Sequence, residues 1–441
     1  MAAPTAAGCA NSSRRDLTAS SRVSNGDAPR GRAPRIFVPV PSEALRYVGS
    51  ILEEGAEPMV LGLPMDLPTG GVALRREWVA DWAEVFCSNN ELDALLLSAT
   101  EPAELAGLLM AALRLDLPAV VVPAEDPFSV ALAALGFAPL AGDAAEIAVE
   151  LARTGQPRPS ELVEGFSLAN ALRAGLASGA GPELLVHLAA IAREAGVVGF
   201  PQMIRVLAPE SPKVVGPGSS WFEAHGAAGL FSYLGDVLHD AETVIGRLKE
   251  ALPPTPPGPE TDGTRLVFVR GRASGTEIIC RVSRGITEIS GDCRFYASEE
   301  AAVRAVGDGT AGATDLLLVV GCGSRGGPGL LRLDRLGDAL SGADLAGTIP
   351  VLTDGLPPEG VTGFWASLAT PEAVAGGVIG RLRDGDLLRL NLTEGLIRTG
   401  VAAEEIQQRE PFVMSSASPG FGYAARYARA ALPALEGAGA G

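Results

Sequence analysis

The stretch Leu92 to Pro123, LDALLLSATEPAELAGLLMAALRLDLPAVVVP, sets the reading of the fold. It opens on a short apolar run at 92–98, too brief for a helix and continuous enough for a strand buried on both faces. Glu101-Pro102 then places a proline where a helix begins, and apolar side chains follow to 115. A second β-branched run at 119–123 ends in proline. Strand, helix, strand in about thirty residues is the βαβ unit, which requires a parallel sheet covered by helices.

Upstream, 42–54 and 76–89 read as helices. Downstream, 160–177 and 182–195 continue the helical texture on either side of a glycine-rich break. The run 252–263, LPPTPPGPETDG, holds five prolines and two glycines and marks the expected linker. Beyond it strands are expected at 265–269, 276–282, 315–320 and 348–353, with helices at 298–306, 371–381 and 422–435. The expected architecture is an α/β chain: a leader over 1–35, an α/β/α parallel-sheet domain over 36–251, and a β-rich, barrel-like domain over 264–441.

Composition limits the partners. The 441 residues carry 52 acidic and 35 basic side chains, a net charge of -17, which repels nucleic acid and anionic membranes. No apolar run is long enough to cross a bilayer, and the Arg- and Ser-bearing leader has no apolar signal core. Lys213 and Lys249 are the two lysines, and neither follows a phosphate-loop glycine pattern. The five cysteines include no C-x-x-C pair, and the three histidines have no helical pairing, so no local zinc site is expected. Scattered cysteines suit a reducing, cytoplasmic setting.

Several local features bear on a site. Gly321-Cys322-Gly323-Ser324-Arg325-Gly326 follows a strand and fits G-x-G-x-x-G, yet Gly327-Pro328-Gly329 prolongs the loop where a nucleotide-binding helix would start. A tight turn bringing backbone close to a ligand or to the other domain is the better reading. His187 sits on an apolar helical face, the ordinary place for a satisfied core histidine, with catalysis as the alternative. Asp354 ends a strand, and turn capping and a pocket role are both open. Trp221, Phe222, Phe231 and Tyr233 read as core, and Arg383-Asp384-Gly385-Asp386 as a hairpin turn.

Taken together, these pieces resemble the dihydroxy-acid dehydratase / phosphogluconate dehydratase family. Gly326-Gly327-Pro328-Gly329 resembles its glycine–proline loop, and Thr353-Asp354-Gly355 the start of its TDGRFSG motif. Pro371-Glu372-Ala373 with Gly376-Gly377 resembles its PEA…GG run, and Ser415-Ser416-Ala417 its near-terminal SSA. Arg76-Glu77 with Ala80-Asp81, Met110-Ala111-Ala112 through Pro118, and His187-Leu188 through Ala192 resemble its N-terminal motifs. The resemblance spans about 41 to the C-terminus. It implies two domains with the active site between them, a dimer, and dehydration of sugar acids or 2,3-dihydroxy acids by an iron–sulfur cluster and a divalent metal.

The departures fall on the inorganic ligands. Glu101-Pro102-Ala103 stands where the family has its CDK motif, so a cluster cysteine, a metal aspartate and a modified lysine are all replaced. The segment expected to hold a second cluster cysteine is missing between 123 and 160. A metal-binding glutamate becomes Arg332, the serine base becomes Pro358, and a downstream histidine becomes Leu368. Asp66 is not carried over as a metal ligand. A cluster needs thiolates and a hard cation needs several oxygen ligands, whereas a guanidinium stays protonated and repels both.

The sequence therefore leads to an expectation of no metal and no cluster cofactor. The expected protein is a lyase, isomerase or cyclase acting on a small molecule in bacterial specialised metabolism, as a homodimer. Glu359, His187, Glu183 and Asp354 are the acid–base candidates. Arg332, Arg325, Cys322, Gly326, Gly327, Trp365 and Ser415 are the candidate substrate contacts. Arg332→Ala is expected to abolish turnover with the fold intact. A non-catalytic partner of an active dehydratase and a residual dehydratase are the alternatives.

Overall fold

The computed structural model describes residues 32–40, 45–63, 71–271, 274–360, 363–414 and 421–440. Arg32 and Arg35, at the end of the expected leader, are already tied to the sheet: Arg32 pairs with Asp93 at 2.8 Å, and Arg35 opens the first strand.

The first region is a four-stranded parallel sheet in the order β2-β1-β3-β4. Its strands are β1 (Arg35–Val40), β2 (Glu57–Gly62), β3 (Ala94–Leu97) and β4 (Ala119–Val121). Helices α1 (Leu45–Glu53), α2 (Val72–Ser88) and α3 (Pro102–Leu115) alternate with them. The quoted stretch thus folds as the β3–α3–β4 unit, with Pro102 at the helix start and Asp116 in the left-handed region at its end. Both strands are fully buried because helices cover the sheet.

Seven helices follow: α4 (Pro127–Leu135), α5 (Ala144–Thr154), α6 (Pro159–Leu162), α7 (Gly165–Ala177), α8 (Pro182–Glu194), α9 (Phe200–Leu207) and α10 (Ser220–Leu234). The expected helix over 160–177 is split into α6 and α7, because Val163 and Glu164 are extended. A two-residue hairpin, β5 (Glu242–Thr243) and β6 (Gly246–Arg247), closes this region. The proline-rich run then lies along it: Ser232 Oγ donates to the Pro253 carbonyl and Trp221 Nε1 to that of Pro257, each at 2.7 Å.

The second region is a closed eight-stranded barrel of order β10-β11-β12-β8-β7-β14-β13-β9. The strands are β7 (Arg265–Arg270), β8 (Glu277–Val282), β9 (Glu288–Tyr296), β10 (Asp315–Val319), β11 (Val351–Thr353), β12 (Trp365–Thr370), β13 (Leu387–Asn391) and β14 (Leu396–Thr399). Alternate residues of β9 and β13 turn inward onto a core of Val, Ile, Leu and Cys. Helices α11 (Glu299–Gly307) and α12 (Asp334–Gly342) cover the β10–β11 side through a second apolar layer. Helices α13 (Ala403–Gln408) and α14 (Tyr423–Ala430) follow the barrel.

Three expectations change here. The helix at 371–381 is replaced by two 3-10 turns, Ala373–Ala375 and Val378–Arg381, because Gly376 takes φ 85° and Gly377 lies against the Pro371 carbonyl where a Cβ would stand 1.8 Å away. Arg383–Asp386 is a turn leading into β13, not the tip of a hairpin; Asp386 accepts from Arg383 N and pairs with Arg409. The last segment does not stay on the barrel: the turn Ala434–Glu436 packs on α8, and Gly437 approaches Ala190 too closely for any side chain. No helix among the described residues is long and apolar enough to cross a membrane.

Candidate functional site

The two regions meet through backbone before they meet through side chains. Gly71 N donates to Pro328 O, Val72 N to Leu330 O and Ala73 N to Gly329 O, at 2.8–3.1 Å. Gly329 has φ 98°, and a Cβ there would lie 2.3 Å from the Leu74 Cβ, so only glycine fits. The glycine loop therefore serves the close domain contact expected of it, and a dinucleotide role is ruled out by its amides. Asp354 accepts from Gly321 N, Cys322 N and Ala373 N at 2.8–3.2 Å, and Glu372 accepts from Arg325 N at 3.1 Å. Donors that would cradle a pyrophosphate already face the chain's own carboxylates.

Arg332 lies just beyond this loop, held extended by a bridge to Leu356. Its side chain meets carboxylates from both regions. Nε lies 2.9 Å from Asp334, and the terminal nitrogens lie 3.3 Å from Glu183, 3.7 Å from Glu101 and 3.9 Å from Glu359. Glu101 precedes the first residue of α3, while Glu183 and Asp334 sit in the first turns of α8 and α12. Three helix N-termini, each favouring negative charge, thus bring their carboxylates to one guanidinium. Burial opposes the charge of Arg332, but the Asp334 hydrogen bond and the charge of Glu183 raise its pKa further.

Behind Arg332 the network runs from the part-buried Glu183 to the fully buried His187 and Arg76. Glu183 Oε1 lies 3.1 Å from His187 Nε2, and His187 Nδ1 lies 3.3 Å from Arg76 NH1. A guanidinium only donates and a carboxylate only accepts, so His187 is held as the neutral Nε2–H tautomer. Burial lowers its pKa, Glu183 pulls the other way, and Arg76 and Arg332 push it down again. Burial raises Glu183, yet the hydrogen bond from His187 and the charge of Arg332 bring it below the usual carboxylate range. Arg76, with no exposed surface, also donates to Glu77, Val186 O and Gly437 O. Phe128 packs edge-on against the imidazole.

The structure thus assembles Glu183, His187, Arg332 and Glu359, and adds Glu101, Asp334 and Arg76. Glu359 is the exposed member: two-thirds of its side chain faces solvent. Burial and then the charge of Glu183 raise its pKa, partly offset by Arg332 and screened by that solvent. His187 has no exposure and both ring nitrogens engaged, which is the core-histidine reading. Asp354 is also buried and spends its oxygens on three backbone amides; burial raises its pKa and those amides lower it.

The remaining candidates lie elsewhere. Trp365 does not reach the cluster: it is 2% exposed, on the outer face of β12 in the apolar layer under α11 and α12. Cys322 is 1% exposed in the same layer, its thiol pushed well up by burial and then by Asp354. Gly326, Gly327 and Arg325 belong to the loop, and Arg325 Nε donates to Ala431 O. Ser415 lies outside the described residues, as does Asp66.

A second cleft, of about 180 Å³, lies beside the loop, with Arg325, Asp354, Thr370 and Glu372 set among alanines and prolines. Residues of the glycine loop, of Thr353-Asp354-Gly355 and of Pro371-Glu372-Ala373 converge here. Glu372 is not among the site residues expected from the sequence. Burial, then Asp354, push its carboxyl from 4.5 up to about 7, against the loop amides. The folded chain then binds this proton more tightly than the unfolded chain, so the stability it contributes is complete below pH 4.5 and lost as pH rises through about 7. Glu372→Gln is expected to be more stable than wild type at pH 8 by about 2 kcal/mol, and equal to it near pH 4. Urea denaturation across that range checks this; a gap that does not change with pH contradicts it.

The chemistry of the donor set decides whether an iron–sulfur cluster or divalent metal fits. Cys87, Cys280, Cys293 and Cys322 are all buried, on α2, β8, β9 and the glycine loop. Burial holds the first three thiols near 12, far from thiolate. Among the described residues, no three His, Cys, Asp or Glu are arranged to hold a metal. The carboxylates that do converge surround a guanidinium. These residues do not fit either group.

The comparisons agree with this architecture. A family model described as dihydroxy-acid/6-phosphogluconate dehydratase C-terminal matches residues 266–438. A dihydroxy-acid dehydratase of Citrifermentans bemidjiense is 28% identical over 302 residues, covering 64% of this chain and 55% of its own length. Dihydroxy-acid dehydratase 2 of Bordetella bronchiseptica is 29% identical over 294 residues, 61% of this chain and 51% of its own. The chain spans about half the length of the curated relatives it matches. With the closed barrel, the parallel sheet and the glycine–proline loop joining them, these matches support membership of the dihydroxy-acid/6-phosphogluconate dehydratase family.

Proposed function

We propose that this chain is a small-molecule enzyme of the lyase, isomerase or cyclase type that works without cluster or metal, with Arg332 as its fixed cation. The supporting observation is the asymmetry of the Arg332 contacts. Asp334 and Glu183, at 2.9 and 3.3 Å, hold the guanidinium in place. Glu101 and Glu359, at 3.7 and 3.9 Å, are the looser pair, and like Asp334 they are open to solvent. A substrate carboxylate or enolate displaces the looser pair and gains a charge-assisted contact. Glu359, with its raised pKa, then stands beside the bound anion as proton donor. Glu183 and the neutral His187 keep Arg332 from moving with the substrate. A homodimer and a place in bacterial specialised metabolism belong to the same proposal.

The test starts from metabolites that accumulate in a strain lacking the gene. Incubated with the purified, EDTA-treated chain, one of them is expected to be consumed, and Glu359→Gln is expected to slow this about 100-fold or more. Consumption only after reconstitution with iron and sulfide, or with magnesium, overturns the proposal. A second reading, a non-catalytic partner of an active dehydratase, is favoured by the fact that Arg332 Nε and NH1 already bind protein carboxylates. No consumption, with co-elution of a dehydratase, decides for it.

A further inference from the structure

We infer that the barrel holds a binding site for a neutral, largely hydrocarbon small molecule bearing one hydrogen-bonding oxygen. This site is independent of Arg332. An eight-stranded barrel has an interior that side chains just fill, or that takes one small ligand. Here the filling is incomplete. Between the wall residues Ile278, Leu352, Leu388 and Ile397 and the covering residues Ile379 and Ile406 lies a cavity of about 110 Å³. Among the described residues the lining carries no charged side chain, which suits an uncharged ligand.

Thr276 supplies the polar element. It lines the cavity, is 3% exposed, and its Oγ1 is buried without a hydrogen-bond partner. The neighbouring hydroxyls are committed: Ser274 Oγ accepts from Thr276 N, and Thr399 Oγ1 donates to Val401 O. A buried hydroxyl left unpaired is a standing cost that a ligand oxygen removes. A water molecule is a poor occupant, since it needs two to four polar partners and the described lining is mostly apolar, with Gln407 at its exposed rim. A molecule of about five to eight non-hydrogen atoms suits a cavity of this size, with its hydrocarbon part against the isoleucines and leucines and its oxygen on Thr276.

Cyclohexanol and methylcyclohexane, nearly equal in shape, separate the two contributions. Both are titrated into the full chain and followed by saturation-transfer NMR and by melting temperature. Cyclohexanol is expected to bind about fivefold more tightly, the worth of one neutral hydrogen bond. Thr276→Val is expected to abolish that preference and retain methylcyclohexane binding. Leu388→Phe, which fills the cavity, is expected to abolish both; Ile397→Phe serves the same purpose should the first variant fold poorly. The inference is overturned by wild-type protein that binds neither compound, by binding that survives both filling variants, or by a preference that persists in Thr276→Val.

Discussion

Arg76→Ala is expected to destabilise the protein by about 4 kcal/mol. Arg76 has no exposed surface, yet its donors serve four partners from three parts of the chain: Glu77 on its own helix, His187 and Val186 on α8, and Gly437 near the C-terminus. Truncation leaves the Glu77 carboxylate buried, with Arg114 at 3.7 Å as its remaining cation. It also leaves the Gly437 carbonyl and His187 Nδ1 without the donor that Arg76 supplies. The cost is that of uncompensated buried groups, not the worth of one ion pair. Urea denaturation measures it, and a loss under about 1 kcal/mol refutes the account. Removing the charges together, with Arg76→Met and Glu77→Leu, is expected to cost less than Arg76→Ala alone, because no lone carboxylate then remains.

The second large effect is at Arg332. Arg332→Ala is expected to abolish turnover and to weaken the joint between the two regions by about 2–3 kcal/mol, less than Arg76 because the side chain is 19% exposed. This corrects the expectation of an intact fold: four carboxylates depend on this cation. Without it, Glu183 and Glu359 lose the positive charge that lowers both, and these two carboxyls move up. Groups with raised folded pKa values stabilise below their unfolded pKa and lose that contribution as pH rises. The deficit of the variant is therefore expected to shrink on acidification from pH 7 towards pH 4. A deficit that is constant over that interval, measured in urea, argues against the electrostatic origin. Arg332→Lys is expected to recover only part, since one ammonium cannot serve Asp334 through Nε and Glu183 through NH1 together.

How much of this is legible in the sequence varies with the range of the interaction. Helix α3 is readable to the residue, because Pro102 fixes the start and the apolar period ends at Leu115. The sheet class follows from the same unit. In the barrel, β9, β12, β13 and β14 are not legible. Strands such as β14, four residues with mixed burial, carry little alternation of their own and are defined by their neighbours. The site shows the same division. Residue type and motif point to Glu183, His187, Arg332 and Glu359, yet Trp365 and Cys322 fall in an apolar layer, and Glu372 and Asp334 escape notice. An acidic residue at a helix start is a visible signal for Glu101 and Asp334, but one shared by ordinary helix termini.

By itself the sequence determined the local matters: the βαβ unit, the glycines at the domain contact, the net negative charge and the replacement of ligand residues by Pro102, Ala103 and Arg332. These depend on periodicity, backbone freedom and side-chain chemistry, each a property of a few neighbouring residues. Only the tertiary structure decided that the strands close into a barrel, that the C-terminal turn docks back on α8, and that carboxylates from positions 101, 183, 334 and 359 gather on one guanidinium. Such gatherings are set by which buried faces meet across long loops, and no local pattern in the chain records that choice.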